Sequence, residues 1–424
     1  MNSTGALLFE KLLTQRVVRS LVACVLVTST FIPAMPVSAR EDRDGVALQD
    51  EWRDEDRDDD RRDPVILSFS TVGDSREDPV TPDPTVLPLS GQDKIWLQNT
   101  KAWSRIIRSI EAQKSQFLFF NGDMIMGYGK AGVPASAATV SDVVNSDLVQ
   151  FYTQYAFWRG MVTELLETGT YVVPVPGNHE VQSKALGKKA QPENEDAWRA
   201  NMGDLILDTS RFQGLFQEAP ANVNITNNGP IDGLISDQSQ LSYSFDFKGS
   251  HFVVINTDPV GKDSHAPTQW LSADLASAKS RGLKHFFVFG HKPAFTYYYG
   301  ATPGSPLPAA PSGLDTDTAA RDAFWQVIEH YDATYFCGHE HIFNISQPLA
   351  STGGKALQVL VGSGGSPFEA KPTDATISVT DRMYAWATVK IRRSGEVQVT
   401  AYGFDDQFGP THKLKTISLN STRR

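Results

Sequence analysis

Five short polar clusters recur along the 424-residue chain, each closing an apolar run: Gly73-Asp74, Gly122-Asp123, Gly177-Asn178-His179-Glu180, Gly290-His291 and Gly338-His339-Glu340-His341. Their carboxylate, carboxamide and imidazole groups are the oxygen and nitrogen donors that borderline and hard divalent cations take. A glycine ahead of the polar residue lets the chain turn sharply with the ligand close to the backbone. Singly the clusters are weak. Gly122-Asp123 reads as an ordinary turn and His291 before Lys292-Pro293 as a surface histidine, while Asn178-His179 suits a turn with a helix cap and a functional site equally. His339 and His341, two residues apart on one side of an extended segment, suit a metal better. The joint, ordered occurrence predicts a metal-dependent hydrolase.

The runs ahead of the clusters read as buried strands over residues 65–70, 117–120, 171–175, 285–289 and 334–337. Helical periodicity over 94–110, 148–166, 268–278 and 319–330 separates them. This alternation predicts an α/β core with central, largely parallel strands. In open α/β sheets, sites form beyond the carboxyl ends of strands, so clusters far apart in sequence can converge there. The polar stretch from 180 to about 238 reads as loops and short helices forming a substrate-side lid. Residues 241–247 and 251–256 read as an antiparallel pair, and the runs 357–361, 386–391 and 397–402 suggest a second sheet. His251 and His285 begin strands and read as local hydrogen-bonding residues.

Lys11, Arg16 and Arg19, the apolar stretch 21–34 and Val37-Ser38-Ala39 predict a signal peptide over residues 1–39. Residues 40–63, dense in Asp, Glu and Arg, bury too little surface to offset ordering entropy and read as a disordered linker. Residues 64–424 are expected to form one domain, exported to the periplasm or secreted, with no membrane attachment after signal cleavage. Cleavage after Ala39 would leave Cys337 as the sole cysteine, so no internal disulfide is expected. A net charge of −10 argues against a stable nucleic-acid partner.

The ordered set resembles the calcineurin-like metallophosphoesterase superfamily, whose pattern runs Asp-x-His, Gly-Asp, Gly-Asn-His-Glu/Asp, a lone His and Gly-His-x-His. The resemblance spans about residues 65–344, and Leu241-Ser242-Tyr243-Ser244-Phe245 and Gly362-Ser363-Gly364-Gly365 are similar to segments of exported, purple-acid-phosphatase-like members. It implies an α/β fold of two stacked mixed β-sheets flanked by helices. It implies hydrolysis of phosphate esters at a dinuclear centre of Fe, Mn or Zn, with monoesters favoured and a small phosphorylated substrate as the partner. A diesterase and a non-catalytic phosphoryl binder on the same fold are the alternatives.

Residue by residue, the resemblance implies that Asp123 bridges two ions, that Asn178, His291 and His339 complete one site, and that Asp74 and His341 belong to the other. Asn178 would also meet substrate, and the unligated His179 would stabilise the transition state or protonate the leaving oxygen. One motif departs from the pattern: Asp74-Ser75-Arg76 lacks the imidazole of Asp-x-His. Purple acid phosphatases also lack it and use a Tyr three positions after the bridging Asp, where this chain has Met126. Tyr128, Glu77, Asp78 or water stand as substitutes. Arg76 offers a charged fork to phosphate, and its charge repels a metal at that point.

Overall fold

β1 (Val65–Val72), β2 (Phe117–Phe120) and β3 (Tyr171–Pro174) are short runs rich in β-branched and aromatic residues. Such runs fit a pleated, doubly covered surface, and they pair in parallel, β1 with β2 and β2 with β3. The structure is a computed structural model that describes residues 62–79, 91–136, 139–297, 310–368, 370 and 379–419. The expected signal peptide and nearly all of the expected linker lie outside the described residues.

Later strands are β4 (Gln182–Ser183), β5 (Lys189–Ala190), β6 (Ala221–Asn224), β7 (Tyr243–Phe247), β8 (Ser250–Val254), β9 (His285–Phe289) and β10 (Thr334–Cys337). They are followed by β11 (Phe343–Ser346), β12 (Gln358–Val361), β13 (Tyr384–Arg392), β14 (Val397–Phe404) and β15 (His412–Leu419). The first sheet has six strands in the order β15-β14-β13-β1-β2-β3, and the second has seven in the order β11-β12-β10-β9-β8-β7-β6. β8, β9, β10 and β12 run parallel, with antiparallel strands at both edges of that sheet. Both sheets are therefore mixed, and the architecture is the layered α/β fold expected.

The sheets stack through phenylalanine. Phe69 of β1 lies edge-on to Phe252, Phe287, Phe289 and Phe336 of the second sheet, with ring centroids 5.0–5.7 Å apart. On β2 the two-residue period sorts the faces: Phe119 stacks on Phe289 at 3.8 Å, while Phe120 turns outward to Trp103 and Trp158. Those tryptophans belong to helices Gly91–Gln113 and Asp147–Glu167, which cover the outer face of the first sheet. Helices Thr268–Ser280 and Thr318–His330 bury Trp270, Leu271, Leu275, Phe324 and Trp325 in a separate apolar cluster on the second sheet.

Two expectations are corrected. The C-terminal strands do not build a sheet of their own: β12 inserts between β10 and β11, while β13 pairs antiparallel with β1 and extends the first sheet through β14 and β15. The edge of β1 opposite β2 has unsatisfied backbone groups, and β13 supplies their partners. The stretch after His179 carries helices Pro192–Met202 and Thr209–Phe216, and its Trp198 and Phe212 are wholly buried in the main core. It is packed structure.

His251 is more than a local hydrogen-bonding residue. Fully buried on β8, its Nδ1 lies 2.6 Å from Asp246 Oδ1 and its Nε2 2.8 Å from Asp274 Oδ2. Arg281 braces Asp246 through Nε and Nη2 at 2.8 and 2.9 Å. Burial acts to lower the His251 pKa, but the bonds to Asp246 and Asp274 outweigh it and raise the imidazole above its usual value. Burial acts the other way on Asp246, where His251, Arg281 and Asn222 hold the carboxyl low.

The His251 contribution to stability is full below the unfolded pKa of about 6.5 and fades as pH rises through the higher folded value. The Asp246 contribution is present above about pH 3.9 and fades as pH falls through its lower folded value. The difference in Tm between the wild type and His251→Gln should thus be widest near pH ~5–6 and shrink in alkaline buffer. A difference that stays constant from acid to alkaline pH in thermal melts would count against the charged pair.

Candidate metal centre

All five polar clusters, and Gly362 after β12, begin within three residues of the carboxyl end of a parallel strand. The loops of the two sheets are stitched together. Gly73 N–H donates to Val361 O at 2.9 Å and Gly364 N–H to Gly73 O at 2.8 Å, while within the second sheet Gly338 N–H donates to His291 O at 2.9 Å. Gly122 has φ +83°, and a Cβ there would lie 2.6 Å from Gly177 Cα, so the loops after β2 and β3 meet backbone to backbone. Asp74, Arg76, Asp123, Tyr128 and His339 all have positive φ, between 49° and 74°, which side-chain-bearing residues rarely adopt.

Four of the expected ligands converge. His291 Nε2 is 2.8 Å from Asn178 Oδ1, 3.2 Å from Asp123 Oδ1 and 3.2 Å from His339 Nδ1. His339 Nδ1 is 2.8 Å from the same Asn178 oxygen. Donors bound at ~2.0–2.2 Å around one tetrahedral or octahedral ion stand ~3.0–3.5 Å apart, so this spacing fits a single ion. The Asn178 amide is fixed by its Nδ2, which contacts the Tyr128 hydroxyl, leaving Oδ1 for the cluster. His291 Nδ1 donates to Asn121 O at 2.7 Å, which fixes the tautomer with Nε2 turned toward the cluster.

Electrostatics agree with a cation here. Burial acts to lower the His291 pKa, yet the Asp123 and Asp74 charges outweigh it and lift the imidazole to about 10. Burial and the neighbouring His291 hold His339 well below its usual value.

Asp74 and His341 stand beside this group in a different arrangement. His341 Nδ1 donates to Pro367 O at 2.9 Å, and its Nε2 lies 3.4 Å from Arg76 Nη1 and 3.7 Å from Asp74 Oδ1. Both Asp74 oxygens accept the His339 N–H, at 3.0 and 3.2 Å. Arg76 Nη2 reaches Met126 Sδ at 3.4 Å. The guanidinium therefore lies where the resemblance placed a second ion. A unit charge and a dication ~4 Å apart repel by ~8 kcal/mol at an effective dielectric near ~20. The named substitutes do not offset this. Glu77 Oε2 takes the Thr100 hydroxyl at 2.6 Å and burial lifts its carboxyl to about 8, Asp78 Oδ1 accepts from Gln154 Nε2 at 3.0 Å, and Tyr128 turns to Asn178. These residues do not fit a second ion as arranged.

His179 flanks the cluster, its backbone N–H donating to Asp123 Oδ1 at 3.0 Å and its Nε2 3.6 Å from Asp123 Oδ2. Its Nδ1 donates to Met126 O, and the Tyr128 ring lies 3.7 Å away, centroid to centroid. Burial, with Arg76 adding to it against the pull of Asp123, drives the imidazole down to about 3.

Sequence reasoning missed Glu180. Its buried carboxylate accepts the backbone N–H groups of Asp123, Met124 and Gly177 at 2.8 Å and of Ile125 at 3.2 Å. It thereby clamps the Asp123 loop to the Gly177 turn. The signal was legible: Gly177-x-x-Glu180 has the spacing of a capping box. Glu180→Ala should orphan these donors and weaken metal binding by ~10–100-fold, the scale usual for residues that support ligands. Titration of the variant with Mn(II) beside the wild type checks this, and equal affinities would remove Glu180 from that role.

No curated protein matches the chain. Among solved structures, it is similar to a purple acid phosphatase from yellow lupin (Lupinus luteus) seeds, with 12% identity, a TM-score of 0.49, and 83% of this chain and 53% of that one covered. The chain thus spans about half the length of the lupin protein. A dimetal phosphatase from Danio rerio gives 12% identity and a TM-score of 0.46, over 84% of this chain and 99% of that one. The family profile described as calcineurin-like phosphoesterase matches residues 96–343, more than half of the chain. The chain belongs to the calcineurin-like phosphoesterases.

Proposed function

We propose that the chain hydrolyses phosphate monoesters at a metal centre held by Asp123, Asn178, His291 and His339, in an exported protein. The observation that carries this reading is the convergence of two oxygen and two nitrogen donors, from the ends of four strands, at the spacing of one coordination sphere. Of the two ions that the resemblance implies, this reading needs the one at these residues.

The chemistry a divalent ion supplies in such a place is polarisation of a phosphoryl oxygen and a lowered pKa for an attacking water. The chain's own groups do the rest. Asn121 O and Glu180 fix His291 and Asp123, so the donors are oriented before substrate arrives. His179 has its Nδ1–H committed to Met126, which leaves Nε2 to act on the leaving oxygen. Burial keeps this imidazole neutral at rest, and the negative charge of a bound phosphoryl group would favour a proton at Nε2. The Tyr128 ring lies against His179, tilted by 39°, and limits its rotation.

p-Nitrophenyl phosphate and bis(p-nitrophenyl) phosphate, offered to protein loaded with Mn, Zn or Fe, separate the readings. Preferred turnover of the monoester is expected. Preference for the bis-ester would make the chain a diesterase, and phosphate binding without turnover of either would make it a binder. His179→Ala should lower kcat by ~10²–10⁴-fold, the range of general acid–base contributions, while bound metal stays unchanged by elemental analysis. Loss of metal in that variant would assign His179 to ligation.

A further inference from the structure

Resting on the reading of this centre as a phosphate-ester hydrolase, we propose that the chain works with one metal ion and that Arg76 stands in for the second. In this arrangement the guanidinium supplies the other positive charge and binds phosphoryl oxygens directly.

Three observations meet at this residue. The first is the use of His341. Its Nδ1–H is donated to Pro367 O at 2.9 Å, so Nε2 carries the ring's one in-plane lone pair, and Arg76 Nη1 lies on it at 3.4 Å. An ion bound there at ~2.1 Å would need the same lone pair. Asp74, the other expected ligand, accepts the His339 N–H with both oxygens and so holds a ligand of the remaining ion in place.

The second observation is how firmly Arg76 is anchored. Its backbone N–H donates to Asp123 O at 2.9 Å, its carbonyl accepts from Asn99 Nδ2 at 3.3 Å, and its φ is +49°. The guanidinium leaves a loop bonded on both sides, beside the residue expected to meet the ion.

The third is what the guanidinium lacks. Arginine offers five N–H donors. Here Nη1 meets an imidazole, Nη2 meets the weak acceptor Met126 Sδ, and the buried Nε finds no hydrogen-bond partner among the described residues. A planar cation short of strong acceptors, next to a cation-binding cluster, matches two oxygens of a phosphoryl group that the ion also holds.

Mn(II) alone, titrated into the full-length chain after chelation, tests the ion count, and electron paramagnetic resonance reads whether ions are paired. We expect roughly one ion per chain and the six-line spectrum of isolated Mn(II), whereas two-metal centres hold ions ~3.5–4 Å apart, where the spins couple. Arg76→His, which restores the imidazole of the family motif, should raise the count toward two and produce a coupled spectrum. Arg76→Gln keeps a polar side chain without the charge. It should retain the wild-type count while inorganic phosphate inhibits roughly 10- to 100-fold less well, the scale of losing hydrogen bonds to a charged group. A coupled pair of ions in the wild type overturns the inference and leaves the hydrolase reading standing. Absence of any bound ion in the wild type overturns both. Unchanged phosphate inhibition in Arg76→Gln removes Arg76 from phosphoryl binding.

Discussion

Phe69 stands edge-on to four phenylalanines of the opposite sheet, and Phe119 stacks on Phe289 beside it. Everything at the metal centre depends on this contact. The donors come from loops on both sheets, and His291 meets Asn121 across 170 residues of sequence. Loops so far apart stay in register only while the strands that carry them keep their separation. Close-packed interiors transmit small changes in volume, and truncating a buried phenylalanine commonly costs about 3–5 kcal/mol. A ligand sphere tolerates displacements of about 0.5 Å, so the aromatic layer sets the precision of the chemistry as well as the stability of the fold.

The strands ahead of the clusters were readable because burial on both faces leaves a continuous apolar run. Phe117–Phe120 and Tyr171–Pro174 are fully buried throughout. Their polar termini were readable for the same reason, since each interrupts such a run. Sheet membership was not, because pairing is a nonlocal choice: nothing within residues 384–392 says that this strand will lie against β1 and not beside β12. β15 was missed altogether. Its sequence HKLKTISL is mostly exposed and carries lysines, as befits an edge strand that must discourage further pairing. At the centre, residue types gave the ligand set, whereas Glu180 and the posture of Arg76 depend on contacts across loops.

Charge is distributed sparingly around the cluster. The Asp123 and Asp74 charges lift His291, while burial holds His339 and His341 down, with the His291 charge adding to it at His339 and the Arg76 charge at His341. The guanidinium of Arg76 adds a cation that cannot be titrated away near neutral pH. The centre thus combines a place that attracts a cation with a neighbour that already is one. That pairing suits an anion spanning both positions.

The left-handed backbone at Asp74, Asp123 and His339 has a further implication for how such a protein can change. Conformations of this kind are disfavoured by about 1–3 kcal/mol per residue and persist only where surrounding contacts enforce them. Glycine would relax each position, so a search for thermal robustness alone would favour replacing two groups that bind the ion, Asp123 and His339, and one that braces a ligand, Asp74. Activity and durability pull these three residues in opposite directions, and the well-packed sheets beneath them are what let the tension stand.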